Sequence, residues 1–311
     1  MTLEQKVKYI IGEGTGIQLT RPPKSDSVLA DDPIFWKIID DIQIGNNVFL
    51  VGEAGTGKTV MAESVARALV RDFVTINCSQ WTSPGEIIGG ETITGYREGK
   101  LFTCWRKGKL LVLDEMPKLD PNTAGLFNDA LGKTAAPKGR GILTDPNGET
   151  YDKNPKFGCI ATGNTTGKTV SAKYGGNNQQ DASLLDRFSG SYYFIGYDEK
   201  KEAKLTFKAV FNICRSIRNV IIAQQGDDIM TLRTMLNLNR AYDLEMRREL
   251  GEEPENEYGK TLKDAIESYL ATCDPDIQVA IRESEDIDLE KFYNSYRNTK
   301  QYLEDRKRFE G

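Results

Sequence analysis

The stretch GEAGTGKT, Gly52-Glu53-Ala54-Gly55-Thr56-Gly57-Lys58-Thr59, follows the apolar run NVFLV and precedes VMAESVARALV, a segment of helical character. Strand, glycine, four residues, Gly-Lys-Thr and helix, in that order, are the pattern of a phosphate-binding loop. Its glycines let backbone N–H groups fold around a phosphate, and the helix N-terminus adds positive potential. Lys58 is expected to reach the outer phosphates, and the Thr59 hydroxyl to bind magnesium. An ordinary glycine-rich turn would need strand, spacing and helix to coincide by chance. All eight residues are therefore candidates for binding a nucleotide.

A second Gly-Lys-Thr closes GNTTGKT at 163 to 169. There the first glycine stands one residue too close to the Gly-Lys pair, and SAKYGGNNQQ, which follows, is a poor helix to hold a phosphate at its start. It is read as a different element of the same site. GNTTGKT follows the strand FGCIAT, expected beside the strand of Asp114, so that Asn164 comes to the edge of the sheet where nucleotide binds. Its amide can orient the attacking water or donate to a phosphate oxygen without adding charge.

The acids come from KLLVLDE, an apolar strand ending in Asp114 and Glu115. Asp114 is expected to hold magnesium directly or through its waters, and Glu115 to polarise the water that attacks the γ-phosphate. The chain has no histidine, which removes His-based zinc sites, Ser-His-Asp triads and Cys-His nucleophiles and leaves a carboxylate as the natural general base. ATP and Mg2+ are the expected substrate and cofactor.

Around these motifs, short β-rich runs at 47–51, 73–76, 110–113, 157–161 and 192–195 alternate with longer polar or helical segments, the pattern of a mostly parallel sheet. After about residue 198 the apolar residues recur near helical period through Leu205, Val210, Phe211, Cys214, Ile217 and Ile221, with further helical stretches at 232–250 and 261–270. The expected fold is α/β: a P-loop NTPase three-layer αβα core with a mostly parallel sheet, followed by a smaller all-α lid domain. Residues 1–45 form a segment leading into the core, 46–197 the nucleotide-binding core, and 198–311 the helical lid and tail. The tail from Asp288 mixes tyrosines with many charges and reads as a partly packed helix.

The 311 residues carry a net charge of −5, which does not favour broad nucleic-acid binding. The apolar runs are much shorter than the roughly 18 residues a membrane helix needs. Five scattered cysteines without a CxxC pair fit buried reduced thiols, and the N-terminus lacks a secretory pattern, so the cytoplasm is the expected compartment.

Taken together, EIIGGETITGYREGKL, GRGILTDPNGETYDKNPKFGCIATGNT, YGGNNQQDASLLDRF and IMTLRTM resemble the AAA+ ATPases of the MoxR and dynein-related branch. Within it, the likeness is greatest to the ATPase subunit of aerobic cobaltochelatase. That resemblance implies an insert in the second helix at 86–99, a hairpin at 141–156 before sensor 1, and Asn164 as sensor 1. It also implies that Arg187, in LLDRF, is an arginine finger offered to a neighbouring subunit, and that Arg233, in TLR, is sensor 2. Family members work as homo-oligomeric, hexameric rings on a protein partner, in the chelatases one with a metal-ion-adhesion domain. The expected activity is Mg-dependent ATP hydrolysis that remodels, or drives insertion into, a partner protein. Two alternatives stand beside it. One is a nucleic-acid motor using Arg97, Lys100, Arg106, Lys107 and Lys109; the other is a nucleotide-gated scaffold without useful turnover.

Overall fold

The computed structural model describes residues 32–134, 141–169, 173–253 and 259–307; the part of the expected N-terminal segment before Asp32 lies outside them. These residues divide into two compact units. One runs to Glu53 and continues over Gly57–Gly196, and the other joins Ala54–Thr56 to the chain from Tyr197 onward.

The first unit is built on five parallel strands in the order β2-β5-β8-β1-β9, with β1 Val48–Val51, β2 Phe73–Asn77, β5 Leu110–Asp114, β8 Gly158–Gly163 and β9 Tyr192–Phe194. Because side chains alternate across a strand, each strand feeds two cores. Val48, Leu50, Leu110, Val112 and Ile160 pack with Ile38, Ile39 and Ile42 of α1 (Pro33–Ile44) and with Met61 and Val65 of α2 (Lys58–Ala68). The alternate residues Phe49, Leu111, Leu113, Cys159 and Ala161 pack on the opposite face. Their partners include Phe102 and Trp105 of α4 (Lys100–Lys107), Phe127 of α6 (Phe127–Gly132) and Leu184 of α7 (Ala182–Asp186). Burial on both faces explains why LLVL and GCIA read as continuous apolar runs instead of alternating ones.

Two antiparallel hairpins interrupt the βα alternation. After the short α3 (Pro84–Ile87), β3 Gly89–Thr92 pairs with β4 Gly95–Glu98, within the stretch expected to hold the insert. Its neck is narrow: a Cβ on Gly99 would stand 2.3 Å from the Gly89 nitrogen and the Ile87 oxygen, so glycine is required there. Ile93 at the hairpin tip is 107% exposed. The second hairpin pairs β6 Ile142–Thr144 with β7 Thr150–Asp152, ahead of β8. The remaining short helix, α5 (Pro121–Ala124), follows the acid pair and is capped by Asp120.

The second unit is helical: α8 Glu199–Leu205, α9 Lys208–Ala223, α10 Leu232–Glu249, α11 Leu262–Leu270, α12 Pro275–Arg282, α13 Leu289–Ser295 and α14 Lys300–Lys307. Thr261 and Asp264 close a reciprocal capping box at the start of α11. The tail is more deeply built in than its charge pattern suggests. Tyr296 and Tyr302 are buried with Tyr242, and their hydroxyls bond Glu245 and Glu249, while Tyr242 donates to Asp305 at 3.2 Å. The aromatic bodies enter the core and the acids satisfy their polar tips, so a charged sequence packs as core. At the other end of this unit the Tyr197 hydroxyl donates to the Ala54 carbonyl at 3.1 Å.

Candidate active site

The phosphate loop leaves the end of β1, where the Gly52 N–H donates to the Gly163 carbonyl at the end of β8, 3.1 Å away. Gly57 turns the chain into α2 with φ 86°, a left-handed conformation that favours glycine. Lys58, the first residue of α2, is 7% exposed. Its ammonium donates to the Gly52 and Glu53 carbonyls at 2.9 and 2.8 Å and to Asn164 Oδ1 at 3.0 Å. The loop lysine and the expected sensor are thus in direct contact across β1 and β8. The Glu53 carboxylate, also in the loop, accepts from the Tyr174 hydroxyl at 2.6 Å and pairs with Lys173 at 3.5 Å.

Next along the sheet, β5 delivers Asp114. The Thr59 hydroxyl donates to Asp114 Oδ1 at 2.7 Å, and the Thr162 hydroxyl donates to the same oxygen at 2.7 Å. Thr162 is fully buried and also accepts the Glu115 backbone N–H at 3.0 Å, so one hydroxyl fastens both acids of the pair to β8. Sequence reading missed it. The available signal was a polar residue ending an otherwise apolar strand, directly before Gly163 and Asn164. Glu115 itself adopts φ 56° and ψ 43°, left-handed for a residue with a side chain, a conformation that costs about 1–3 kcal/mol and persists where the surroundings over-determine it. Its carboxylate forms an ion pair with Lys118, one turn further on. Cys78, buried beside β5, donates its N–H to the Asp114 carbonyl at 2.8 Å; burial first, then the nearby Asp114 charge, pushes its thiol well above the usual range.

The Thr59 and Asp114 oxygens are hard donors that suit magnesium. Among the described residues no three His, Cys, Asp or Glu side chains gather as a metal cage. These two oxygens therefore fit an ion that completes its coordination with phosphate and water, as magnesium does in nucleotide sites.

Arg187 belongs to the same unit as this cluster and lies apart from it. Asn47, immediately before β1, donates its amide to the Arg187 carbonyl at 3.0 Å, and a Cβ on Gly132 would stand 3.1 Å from Arg187 Cζ. Arg187 is exposed at the end of α7, beside the entry of β1. The phosphate loop leaves the other end of that strand of 4 residues, a span of about 13 Å at ~3.3 Å per residue. Arg233 is exposed in the first turn of α10, in the second unit. In GNTTGKT no described residue after Asn164 is helical, so that segment forms no second phosphate loop. Of the five basic residues, Lys100, Arg106 and Lys109 are paired with Glu86, Glu98 and Asp72 at 2.7, 2.9 and 3.0 Å.

A glycine-bounded loop between a strand and a helix, a lysine in contact with an Asn just past the neighbouring strand, and an acid pair at the end of the next strand define a P-loop nucleotide-binding core. In comparison with known proteins, residues 47–188 match the family model of the AAA domain of the dynein-related subfamily. Relatives in sequence include an uncharacterized protein of Staphylococcus saprophyticus, 27% identical over 51% of this chain and 59% of its own length. The uncharacterized protein YojN of Bacillus subtilis is 27% identical over 51% of each chain. The alignments thus span only about half the length of these curated relatives. Among solved structures, NtrX from Brucella abortus in complex with ATP aligns with a TM-score of 0.49 and 15% identity over 82% of this chain and 57% of its own. No described helix is long and apolar enough to cross a membrane.

Proposed function

We propose that this chain is a magnesium-dependent AAA+ ATPase of the MoxR and chelatase-like type, acting in the cytoplasm as a homo-oligomeric, hexameric ring on a protein partner. The observation that carries the reading is the convergence of Lys58, Thr59, Asp114 and Asn164 at one edge of the sheet through contacts of 2.7 to 3.0 Å.

In this account the loop N–H groups and Lys58 bind the phosphates of ATP. The ammonium exchanges its carbonyl contacts for phosphate oxygens, the more strongly charged acceptors. Thr59 and Asp114 would hold magnesium, which supplies charge neutralisation at the β- and γ-phosphates. Glu115 accepts a proton from the attacking water, and Asn164, already on Lys58, orients that water or a γ-phosphate oxygen. Arg187 is too far along β1 to serve its own site, which favours its acting on the nucleotide of a neighbour. Arg233, on the helical lid over 198–311, takes the sensor 2 role.

The β3–β4 hairpin, with Ile93 bare at its tip, is the surface offered to the partner. A metal-ion-adhesion-domain protein is one such partner. Ion pairing of three of the five basic residues makes a nucleic-acid track the weaker alternative, since paired lysines and arginines have less charge to offer phosphates. The acid pair argues against a scaffold without turnover.

The ring is tested by mixing. Arg187→Ala subunits should bind ATP yet hydrolyse it up to roughly 10³-fold more slowly, as fingers in other phosphoryl-transfer enzymes behave. Adding Lys58→Ala subunits should restore part of the rate by pairing an intact finger with an intact loop. If mixed rings form and no recovery follows, Arg187 does not act in trans.

A further inference from the structure

The stretch Lys173 to Gln180 touches all three loops of the site. Its first residues hold Glu53 of the phosphate loop through Tyr174 and Lys173. Asn177 donates to the Thr165 hydroxyl at 3.2 Å, and the Gln180 N–H to the Gly167 carbonyl at 2.8 Å, both just past Asn164. The remaining bonds converge on the short turn Met116–Lys118 that follows Glu115. The Asn178 N–H donates to the Pro117 carbonyl at 2.7 Å, and its side-chain amide to the Leu119 carbonyl at 3.0 Å. Gln180 Nε2 donates to the same two carbonyls, at 3.2 and 3.0 Å.

A helical turn leaves its last carbonyls without partners, and here side chains from about sixty residues further on supply them. Glu115 starts that turn in a left-handed conformation which persists only where neighbours over-determine it. On its N-terminal side the anchor is Thr162, and on its C-terminal side it is this pair of amides. Gln180 is 4% exposed, and its donor group is committed to the two carbonyls, which fixes the orientation of the amide.

We infer that Asn178 and Gln180 are positioning residues for hydrolysis, clasping the turn that carries Glu115 so that its carboxylate is aimed at the attacking water. The inference rests on the proposed role of Glu115. Displacement of a catalytic group by about 1 Å can cost roughly 10²-fold in rate, so loss of one clasp should slow turnover by roughly 10- to 100-fold and leave ATP affinity within about twofold.

The test is a double-mutant cycle in the full-length protein, with single-turnover hydrolysis and fluorescent-nucleotide binding measured for each variant. Asn178→Ala is the first perturbation because Asn178 is only half buried; Gln180→Met, which keeps the volume, is the second. Each should lower the hydrolysis rate with little change in binding. In a Glu115→Gln background the same changes should have no further effect, because the group they aim is gone. A clasp variant that hydrolyses at the wild-type rate, or that slows Glu115→Gln by the same factor as wild type, overturns the inference. Weakened ATP binding in step with the rate does so as well. If Glu115→Gln itself hydrolyses like wild type, the underlying reading of the acid pair has failed instead.

Discussion

Thr162 is the point where a single oxygen holds most of the site, so Thr162→Val should be costly out of proportion to its size. The substitution keeps the shape and removes one hydroxyl that donates to Asp114 at 2.7 Å and accepts the Glu115 N–H at 3.0 Å. A hydrogen bond to a charged group contributes about 1.5–3 kcal/mol, and a buried N–H left without a partner costs about 1–3 kcal/mol. Asp114 keeps its bond from Thr59, so the expected loss is about 2–4 kcal/mol of stability in the first unit. With a urea m-value of about 2 kcal/mol/M, the midpoint should fall by about 1–2 M. All three tryptophans, Trp36, Trp81 and Trp105, belong to that unit, so tryptophan fluorescence reports its unfolding alone. Thr162→Ser keeps the hydroxyl and should lose only about 1 kcal/mol for the missing methyl group. Equal midpoints for the Val and Ser variants would refute the reasoning, because the methyl group and not the hydroxyl would then carry the effect.

In the second unit, Arg218→Ala should lower stability by about 3–5 kcal/mol, the cost of breaking a buried pair and stranding one charge. Arg218 is bidentate to Glu202 at 2.8 Å for each bond, with both side chains almost fully buried. Far-UV circular dichroism during urea unfolding reads the change, and a loss below about 1 kcal/mol would mean that the pair opens to water. The five cysteines are all buried and unpaired, and burial pushes the thiols of Cys104 and Cys214 up to about 12. The native protein should therefore resist an alkylating reagent at pH 8 and take up five equivalents once unfolded; fast native labelling of any one of them would contradict this burial.

The parts of this molecule that were legible in the sequence share a cause: their chemistry is local. GEAGTGKT announces a loop because strand, glycines and helix are contiguous, and LLVLDE announces an acid pair because a buried strand can end in charge only at its edge. FGCIATGN was readable as the neighbouring strand for the same reason, and β5 and β8 do pair in parallel. Thr162 was not legible, since threonine in a strand looks like any other β-branched residue until its neighbour across the sheet is known. The clasp of Asn178 and Gln180 was hidden more deeply. Its acceptors are backbone carbonyls some sixty residues away, which leave no mark in the sequence. The burial of Tyr296 and Tyr302 was not legible either, because the acids that satisfy their hydroxyls lie on α10, about fifty residues earlier.

The most direct test of the central claim is nucleotide binding and turnover measured side by side for the wild type, Lys58→Ala and Glu115→Gln. The loop lysine acts on the phosphates already in the ground state, whereas the acid acts on the water as the reaction proceeds. Lys58→Ala should therefore lose ATP binding, and Glu115→Gln should bind ATP as the wild type does and hydrolyse it only at a low residual rate. Unchanged ATP affinity in Lys58→Ala, or wild-type turnover in Glu115→Gln, would contradict the account.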